Sequence, residues 1–263
     1  YTLEYRFFEN GDLYSSLKVE VDDKLKFTGD EIESNYFNEE SDYKIYQGSY
    51  IAGEEFPYLR NGAGITIFHN GDIHEGLYEK DKAVGAGTMV SQKDKCTGTF
   101  RNNELATGTC EYSSGHKYSG DFLDGYYSGY GELYFEDGEF YKGYFLKGKY
   151  HGKGTYTYKD GTYYEGSYKN GLPNGYGFET FEGKNFLSFS GFYIDGEHNQ
   201  GTYLTSDGKP FYIGIWPSGK ETGSGTRFLW NKKENNNLSA VITGEFNSDL
   251  LCTGFCRFEF NDE

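Results

Sequence analysis

The hydrophobic and polar positions of the chain repeat with a nearly constant period. In each period a glycine follows a residue that is aromatic in most units, with one residue between them. The spacings between these glycines are 22, 22, 23, 23, 25 and 23 residues in the middle of the chain, and 28 and 30 near its ends, where insertions lie at residues 54–60 and 231–238. A period of this length indicates a repeat architecture. The glycine recurs at Gly48, Gly76, Gly98, Gly120, Gly143, Gly166, Gly191, Gly214 and Gly244.

The clearest unit spans residues 141–161 and predicts two short strands. It reads aromatic-x-Gly-x-aromatic at residues 141–145, a loop at residues 146–150, x-Gly-x-Gly-x-aromatic-x-aromatic at residues 151–158, and then Lys-Asp-Gly. Asp-Gly and Asn-Gly dipeptides are strong hairpin signals because tight primed turns need positive φ. Each period therefore predicts a β-hairpin, joined to the next by a tight turn. The dipeptides are Asn70-Gly71, Asp137-Gly138, Asp160-Gly161 and Asp207-Gly208.

The same unit predicts two different strand faces, because side chains alternate across a strand. The intervening positions are more polar. A ring that lies flat over glycine backbone explains why both residue types occur at this spacing. The aromatic-and-glycine positions are Tyr141, Gly143, Phe145, Gly152, Gly154, Tyr156 and Tyr158, and the more polar ones are Lys142, Tyr144, Lys153, Thr155 and Thr157.

The composition favours strands over helices and an acidic surface. The chain has 38 glycines and only 4 prolines, and aromatic residues make up 19% of it against a hydrophobic total of 36%. Glycine and aromatic residues are mediocre to poor helix formers, whereas aromatic residues suit strands. The formal net charge of −16 disfavours binding to nucleic acids and to anionic lipid head groups. A basic protein segment is the better electrostatic match.

No catalytic, cofactor or metal site is expected from the sequence. The five histidines are scattered, without the spacing of metal ligands. There is no G-x-S-x-G motif, and the many Gly-x-Gly pairs are not followed by the helix that a dinucleotide site requires. The cysteines form no C-x-x-C pair, so we expect reduced thiols in a cytosolic protein; they are Cys96, Cys110, Cys252 and Cys256. No apolar stretch approaches the roughly 20 residues of a membrane span.

The pattern resembles the MORN (membrane occupation and recognition nexus) repeat. Residues 164–171, YEGSYKNG, and residues 151–154, HGKG, carry the closest likeness. The resemblance covers residues 46–263 as about nine repeats, and residues 1–45 fit only as a degenerate hairpin or capping region. It implies an all-β fold in which tandem hairpins stack into one elongated, twisted antiparallel sheet with an aromatic groove. The chain starts at Tyr1 rather than Met, so we expect a piece of a longer protein.

The resemblance leaves three functions open. The first is a non-catalytic scaffold or adaptor that binds a protein segment, such as a basic amphipathic helix, in a cytoplasmic assembly at the cytoskeleton, cilium or membrane cortex. The second is the regulatory or targeting arm of a larger enzyme, such as a lipid kinase, a methyltransferase or an exchange factor. The third, phospholipid binding, is disfavoured by the acidic charge. End strands that pair with a second copy would give a homodimer.

We expect the partner to bind the aromatic face of the least decayed repeats, because buried aromatic anchors usually carry most of the energy of an interface. The predicted partner-binding residues are Tyr118, Phe122, Phe135, Tyr141, Phe145, Tyr156, Tyr158, Tyr164, Tyr168, Phe181, Phe189 and Tyr193.

Overall fold

The computed structural model describes residues 2–9, 12–20, 43–51, 59–182, 187–216, 222–231 and 237–261. Within these ranges the chain forms strands and turns and has no helix. β1 (Thr2–Glu9) pairs antiparallel with β2 (Asp12–Glu20). Most of each predicted insertion, and more than half of the N-terminal region 1–45, lie outside the described residues.

The chain divides into two compact units, residues 1–136 and 137–263. Among the described residues of the first unit, eight further strands each pair antiparallel with the next along the chain. These strands are β3 (Tyr43–Ile51), β4 (Leu59–Phe68), β5 (Ile73–Glu79), β6 (Lys82–Val90), β7 (Asp94–Arg101), β8 (Glu104–Tyr112), β9 (Lys117–Leu123) and β10 (Tyr126–Tyr134).

The described residues of the second unit form ten strands that also pair antiparallel in chain order. The prediction of an all-β fold built from tandem hairpins is confirmed. The strands are β11 (Phe140–Leu146), β12 (Lys149–Thr157), β13 (Tyr163–Lys169), β14 (Leu172–Thr180), β15 (Ser188–Ile194), β16 (Glu197–Leu204), β17 (Pro210–Ile215), β18 (Thr222–Asn231), β19 (Asn237–Asn247) and β20 (Arg257–Phe260).

A column of glycines crosses the strands of each unit, with each glycine paired in register to the next. In the first unit it consists of Gly48, Gly64, Gly76, Gly87, Gly98, Gly108, Gly120 and Gly131. In the second it consists of Gly143, Gly154, Gly166, Gly177, Gly191, Gly201, Gly214, Gly225 and Gly244. The backbones approach so closely that a Cβ atom at Gly166 would lie 2.6 Å from the Cα atom of Gly177.

Aromatic rings cover the glycine column on one face, as the sequence predicted. The Tyr141 ring lies over Gly143 and Gly154 of its own hairpin, and a Cβ atom on either glycine would overlap it. Tyr141 Oη reaches along its own strand and donates to the carbonyl oxygen of Tyr144, at 3.0 Å. The same placement recurs for Tyr46, Tyr118, Tyr164, Phe189 and Tyr212. We call this face, which buries Tyr141 and Phe145, the ring face, and the one that exposes Tyr144 and Leu146 the open face.

Ring contacts join neighbouring hairpins into a continuous core. Tyr150 stacks on Tyr141 at a centroid distance of 3.8 Å, and Tyr168 of the next hairpin meets Tyr141 edge-on at 5.3 Å. Tyr164 contacts Tyr193 of the following hairpin in the same way, at 4.9 Å. Edge-on and offset ring pairs add to the free energy gained by burial alone. The core of each hairpin is thus completed by its neighbours.

The tight primed turns lie elsewhere than the sequence predicted. The loop predicted at residues 146–150 is a two-residue turn, Lys147-Gly148, and the equivalent turn Asn170-Gly171 has φ of 55° and 93°. Both residues of a type I′ turn need positive φ, which glycine and asparagine adopt most easily. The Asp160-Gly161 dipeptide lies instead in a longer connection, which the amide of Tyr158 closes by donating to the Thr162 carbonyl at 2.8 Å.

The two positions of the Gly-x-Gly motif require glycine for different physical reasons. Gly154 lies in the column under the ring, whereas Gly152 lies at a β-bulge with φ of 63°. A Cβ atom at Gly152 would lie 3.5 Å from Tyr144 Cβ, on the open face. The prediction that Gly152 shares a face with Gly154 and Tyr156 is therefore wrong, because a bulge reverses the alternation of side chains.

The cysteines are paired, so the prediction of reduced thiols is wrong. Cys96 and Cys110 face each other across β7 and β8 and form a disulfide. A second disulfide joins Cys252 and Cys256 near the last strand. The Cys96–Cys110 pairing does not follow from sequence spacing, because it depends on which backbone positions the strand register brings together.

Candidate functional site

Most of the predicted partner-binding residues lie in the core rather than on an accessible surface. Seven of them are at most 5% exposed: Tyr118, Tyr141, Phe145, Tyr164, Tyr168, Phe189 and Tyr193. Phe122, Phe135, Tyr156 and Phe181 are half-buried, and Tyr158 is exposed. Rings that the fold itself buries are not free to contact a partner. A role in binding for these twelve residues remains a prediction.

Two of the accessible residues come together at an acidic pocket in the turns of the second unit. Tyr158 and Phe181 line a cavity of about 520 Å³ that also receives four carboxylates: Glu139, Asp160, Glu179 and Glu182. The Tyr156 hydroxyl donates to Glu139, and Tyr193 Oη donates to Glu179 at 3.1 Å. The pocket adds to the acidic character of this end of the hairpins.

The open face of the second unit exposes a set of large apolar side chains at positions that the sequence pattern predicts to be more polar. Each of them is adjacent in sequence to a column glycine, and that position is the signal that would have found them. They are Tyr144, Tyr176, Phe192, Ile213 and Ile215, with exposed fractions of 51%, 56%, 51%, 44% and 48%.

A groove runs along the open face over Gly201, Gly214, Gly225 and Gly244, with a volume of about 880 Å³. One wall is the row of paired residues Thr202, Ile213, Thr226 and Thr243. The other wall is the row Gln200, Ile215, Ser224 and Glu245, continued by Phe255, which is 94% exposed. The walls are two residues apart on each strand, or about 7 Å. The four strands, spaced about 4.8 Å apart, give a floor about 14 Å long.

The groove has the chemistry of a binding surface. Isoleucine, phenylalanine and threonine methyl groups supply apolar area, hydroxyl groups supply hydrogen-bonding positions, and Glu245 supplies one negative charge. In the described part of the chain, no three His, Cys, Asp or Glu side chains are placed to hold a metal ion. No helix there could cross a membrane.

The family comparison matches three hairpins in which a ring covers the paired column glycines. The family model for the MORN repeat matches residues 118–140, 141–163 and 164–185. Residues 118–185 are three consecutive MORN repeats. Each begins at a ring residue, Tyr118, Tyr141 or Tyr164, and contains the hairpin whose glycines that ring covers. Comparison with curated proteins finds no match.

The hydroxyl of a tyrosine ring that covers the glycine column should stabilise the fold only where it has an acceptor. Tyr141→Phe removes the bond to the Tyr144 carbonyl and should cost about 1 kcal/mol of unfolding free energy. Tyr212→Phe should cost nothing or stabilise slightly, because the buried Tyr212 hydroxyl has no hydrogen-bond partner in the described part of the chain. Urea denaturation of both variants measures the contrast, and equal losses would contradict it.

A histidine replaces the tyrosine ring in the β5–β6 hairpin. His74 is buried over Gly76 and Gly87, with Nδ1 2.7 Å from Tyr78 Oη and Nε2 without a partner among the described residues. Burial, and then the nearby charge of Arg60, lower the pKa of His74 to about 4. Arg60 is itself buried and paired with Asp81, with Nε 2.7 Å from Oδ1.

His74 should make the fold less stable as the pH falls from 6.5 towards 4. The unfolded chain takes up this proton near pH 6.5 and the folded chain only near pH 4. The contribution of neutral His74 to the unfolding free energy is therefore fully present above pH 6.5, and it is completely lost below about pH 4. At about 1.4 kcal/mol per pKa unit, the loss amounts to roughly 3 kcal/mol. His74→Tyr should remove this component. Denaturation of both proteins between pH 4 and 7 measures it, and a pH-independent difference between them would contradict it.

Proposed function

We propose that the protein is a non-catalytic scaffold that binds an amphipathic helix of a partner protein in the open-face groove. The observation that carries the proposal is the groove itself, where Ile213, Ile215 and Phe255 leave apolar area uncovered beside hydroxyl groups. A contiguous apolar patch with a polar rim is typical of interaction sites. The MORN repeats of residues 118–185 support the proposal, since the resemblance implies an interaction role.

The spacing of the groove favours a helix over an extended peptide. Side chains on one stripe of a helix recur about every 5.4 Å, one turn apart. Side chains on one face of an extended peptide recur about every 6.8 Å. The four strands of the groove are separated by three steps of about 4.8 Å each. Over these three steps, the side-chain spacing of the bound segment departs from the strand spacing by about 2 Å for the helix and by about 6 Å for the extended peptide. A helical stripe therefore stays in phase with the strands over the whole groove.

Charge favours a basic polar side on that helix. The chain carries a formal net charge of −16, and Glu245 lies in the groove wall. Lysine or arginine residues beside the apolar stripe would increase the association rate, and salt would reduce that rate. The apolar stripe would provide most of the binding free energy, so salt should weaken the equilibrium affinity only in part.

Site-specific photo-crosslinking tests the proposal. A photoreactive residue in place of Ile213 should crosslink a partner segment with apolar residues at i, i+3 or i+4, and i+7, flanked by lysine or arginine. The matched control carries the photoreactive residue at Leu172, which is 49% exposed in the same unit but does not line the groove. Mass spectrometry identifies the crosslinked peptides. Crosslinks of equal yield at both positions, or a crosslinked segment without this spacing, would refute the proposal.

A further inference from the structure

The β7–β8 hairpin lacks the ring that covers the column glycines in the hairpins on either side of it. Cys96 on β7 stands two residues before Gly98, at the place of Tyr118 and Tyr141 in their own hairpins. A Cβ atom built at Gly108 has only backbone atoms as its three nearest neighbours. Leu105 reaches partly over Gly98. The β7–β8 hairpin therefore lacks the packing contact that a ring makes with both strands of other hairpins.

A covalent bond stands where the ring is missing. Cys96 and Cys110 are direct partners in the strand register, with Cα atoms 4.0 Å apart, and their disulfide ties β7 to β8. The pair closes a segment of 14 residues. Closing a segment of that length restricts the unfolded chain enough to matter for the stability of a single hairpin.

The two sulfurs differ in their access to solvent. Cys110 is 1% exposed, between Cys96 and Tyr118 of the adjacent strand, whereas Cys96 is half-buried. A thiolate attacks a disulfide at the sulfur that it can reach. The accessible target is therefore Cys96 Sγ.

We propose that the Cys96–Cys110 disulfide is a reducible clasp that couples the local stability of the β7–β8 hairpin to the redox state. The thiolate of a small dithiol attacks Cys96 Sγ, and Cys110 leaves as a thiolate and takes up a proton. The second thiol of the reagent then attacks the reagent sulfur of the mixed disulfide and releases Cys96 as a thiol. The dithiol is oxidised to a cyclic disulfide, and its two electrons reduce the cystine. The reduced hairpin has neither the bond nor a ring over its glycines.

Hydrogen exchange of the whole chain, with and without dithiothreitol, tests the proposal. Reduction should speed the exchange of β7 and β8 amides by about 100-fold, because the cross-link no longer opposes local opening. The β13–β14 hairpin, held by the Tyr164 ring, is the internal control and should exchange at the same rate in both states. A Cys252→Ser/Cys256→Ser variant should keep the full response, which excludes the other disulfide.

A second variant separates a clasp from a general effect of the reductant. Cys96→Tyr/Cys110→Leu introduces the pair that Tyr118 and Leu133 form in the β9–β10 hairpin. It should protect β7–β8 as well as the oxidised protein does, in both redox conditions. Free thiols at Cys96 and Cys110 after treatment with oxidised glutathione would overturn the proposal. So would exchange of β7–β8 that changes less than twofold on reduction.

Discussion

Replacing Gly166 with valine should lower the free energy of unfolding by about 3 kcal/mol or more. The new Cβ atom would overlap the Tyr164 ring and lie 2.6 Å from the Cα atom of Gly177, so both the ring and the neighbouring strand must move. Overpacking of a core costs about 1–3 kcal/mol, and displacement of a buried ring adds to it. Chemical denaturation measures the loss.

The neighbouring residue supplies the control for this prediction. Glu165 is exposed on the open face, so Glu165→Ala should change the unfolding free energy by no more than about 0.5 kcal/mol. Equal losses for Gly166→Val and Glu165→Ala would mean that the column glycines are not confined by ring and backbone.

Truncating a central ring should be as damaging. Tyr141 is fully buried, stacks on Tyr150 and covers two glycines, so Tyr141→Ala should cost about 3–5 kcal/mol. Tyr126, which is 57% exposed, is the control, and Tyr126→Ala should cost less than about 1 kcal/mol. Thermal or urea denaturation distinguishes them. A folded Tyr141→Ala protein of nearly wild-type stability would contradict the assignment of Tyr141 to the core.

The sequence predicts the hairpins and the ring face well because both depend on local rules. Asn-Gly and Asp-Gly dipeptides mark turns, and an aromatic residue two positions before a glycine marks a ring and the glycine that it covers. The alternation of side chains then places Tyr141, Gly143 and Phe145 on one face, and the structure has them there. Tandem repetition supports the pattern, because one irregular unit does not obscure its neighbours.

The parts that depend on register and bulges could not be predicted in the same way. A bulge places Gly152 on the open face, and no residue type announces where a strand gains an extra residue. The pairing of Cys96 with Cys110 likewise needs the register of β7 and β8. His74 and Cys96 occupy ring positions where most repeats have an aromatic residue. The sequence shows that the aromatic ring is missing there, but it does not show what the histidine or the cysteine does in its place.

The open-face groove could not be predicted from the sequence for a different reason. The sequence pattern indicates that aromatic residues mark a binding surface, yet in one layer of hairpins the same rings are needed for the core. The apolar residues beside the column glycines, such as Phe192 and Ile215, remain uncovered and are the better candidates for contact with a partner. Burial, rather than residue type, separates the two sets.

Isoleucine-methyl NMR tests the groove most directly. The protein, labelled at isoleucine methyl groups, is titrated with a synthetic peptide of the segment that crosslinks at position 213. Binding in the groove predicts shifts at Ile213 and Ile215, with little change at Ile194, which is 41% exposed but does not line the groove, or at the buried Ile67. Saturable binding of the peptide with unchanged Ile213 and Ile215 signals would contradict the account.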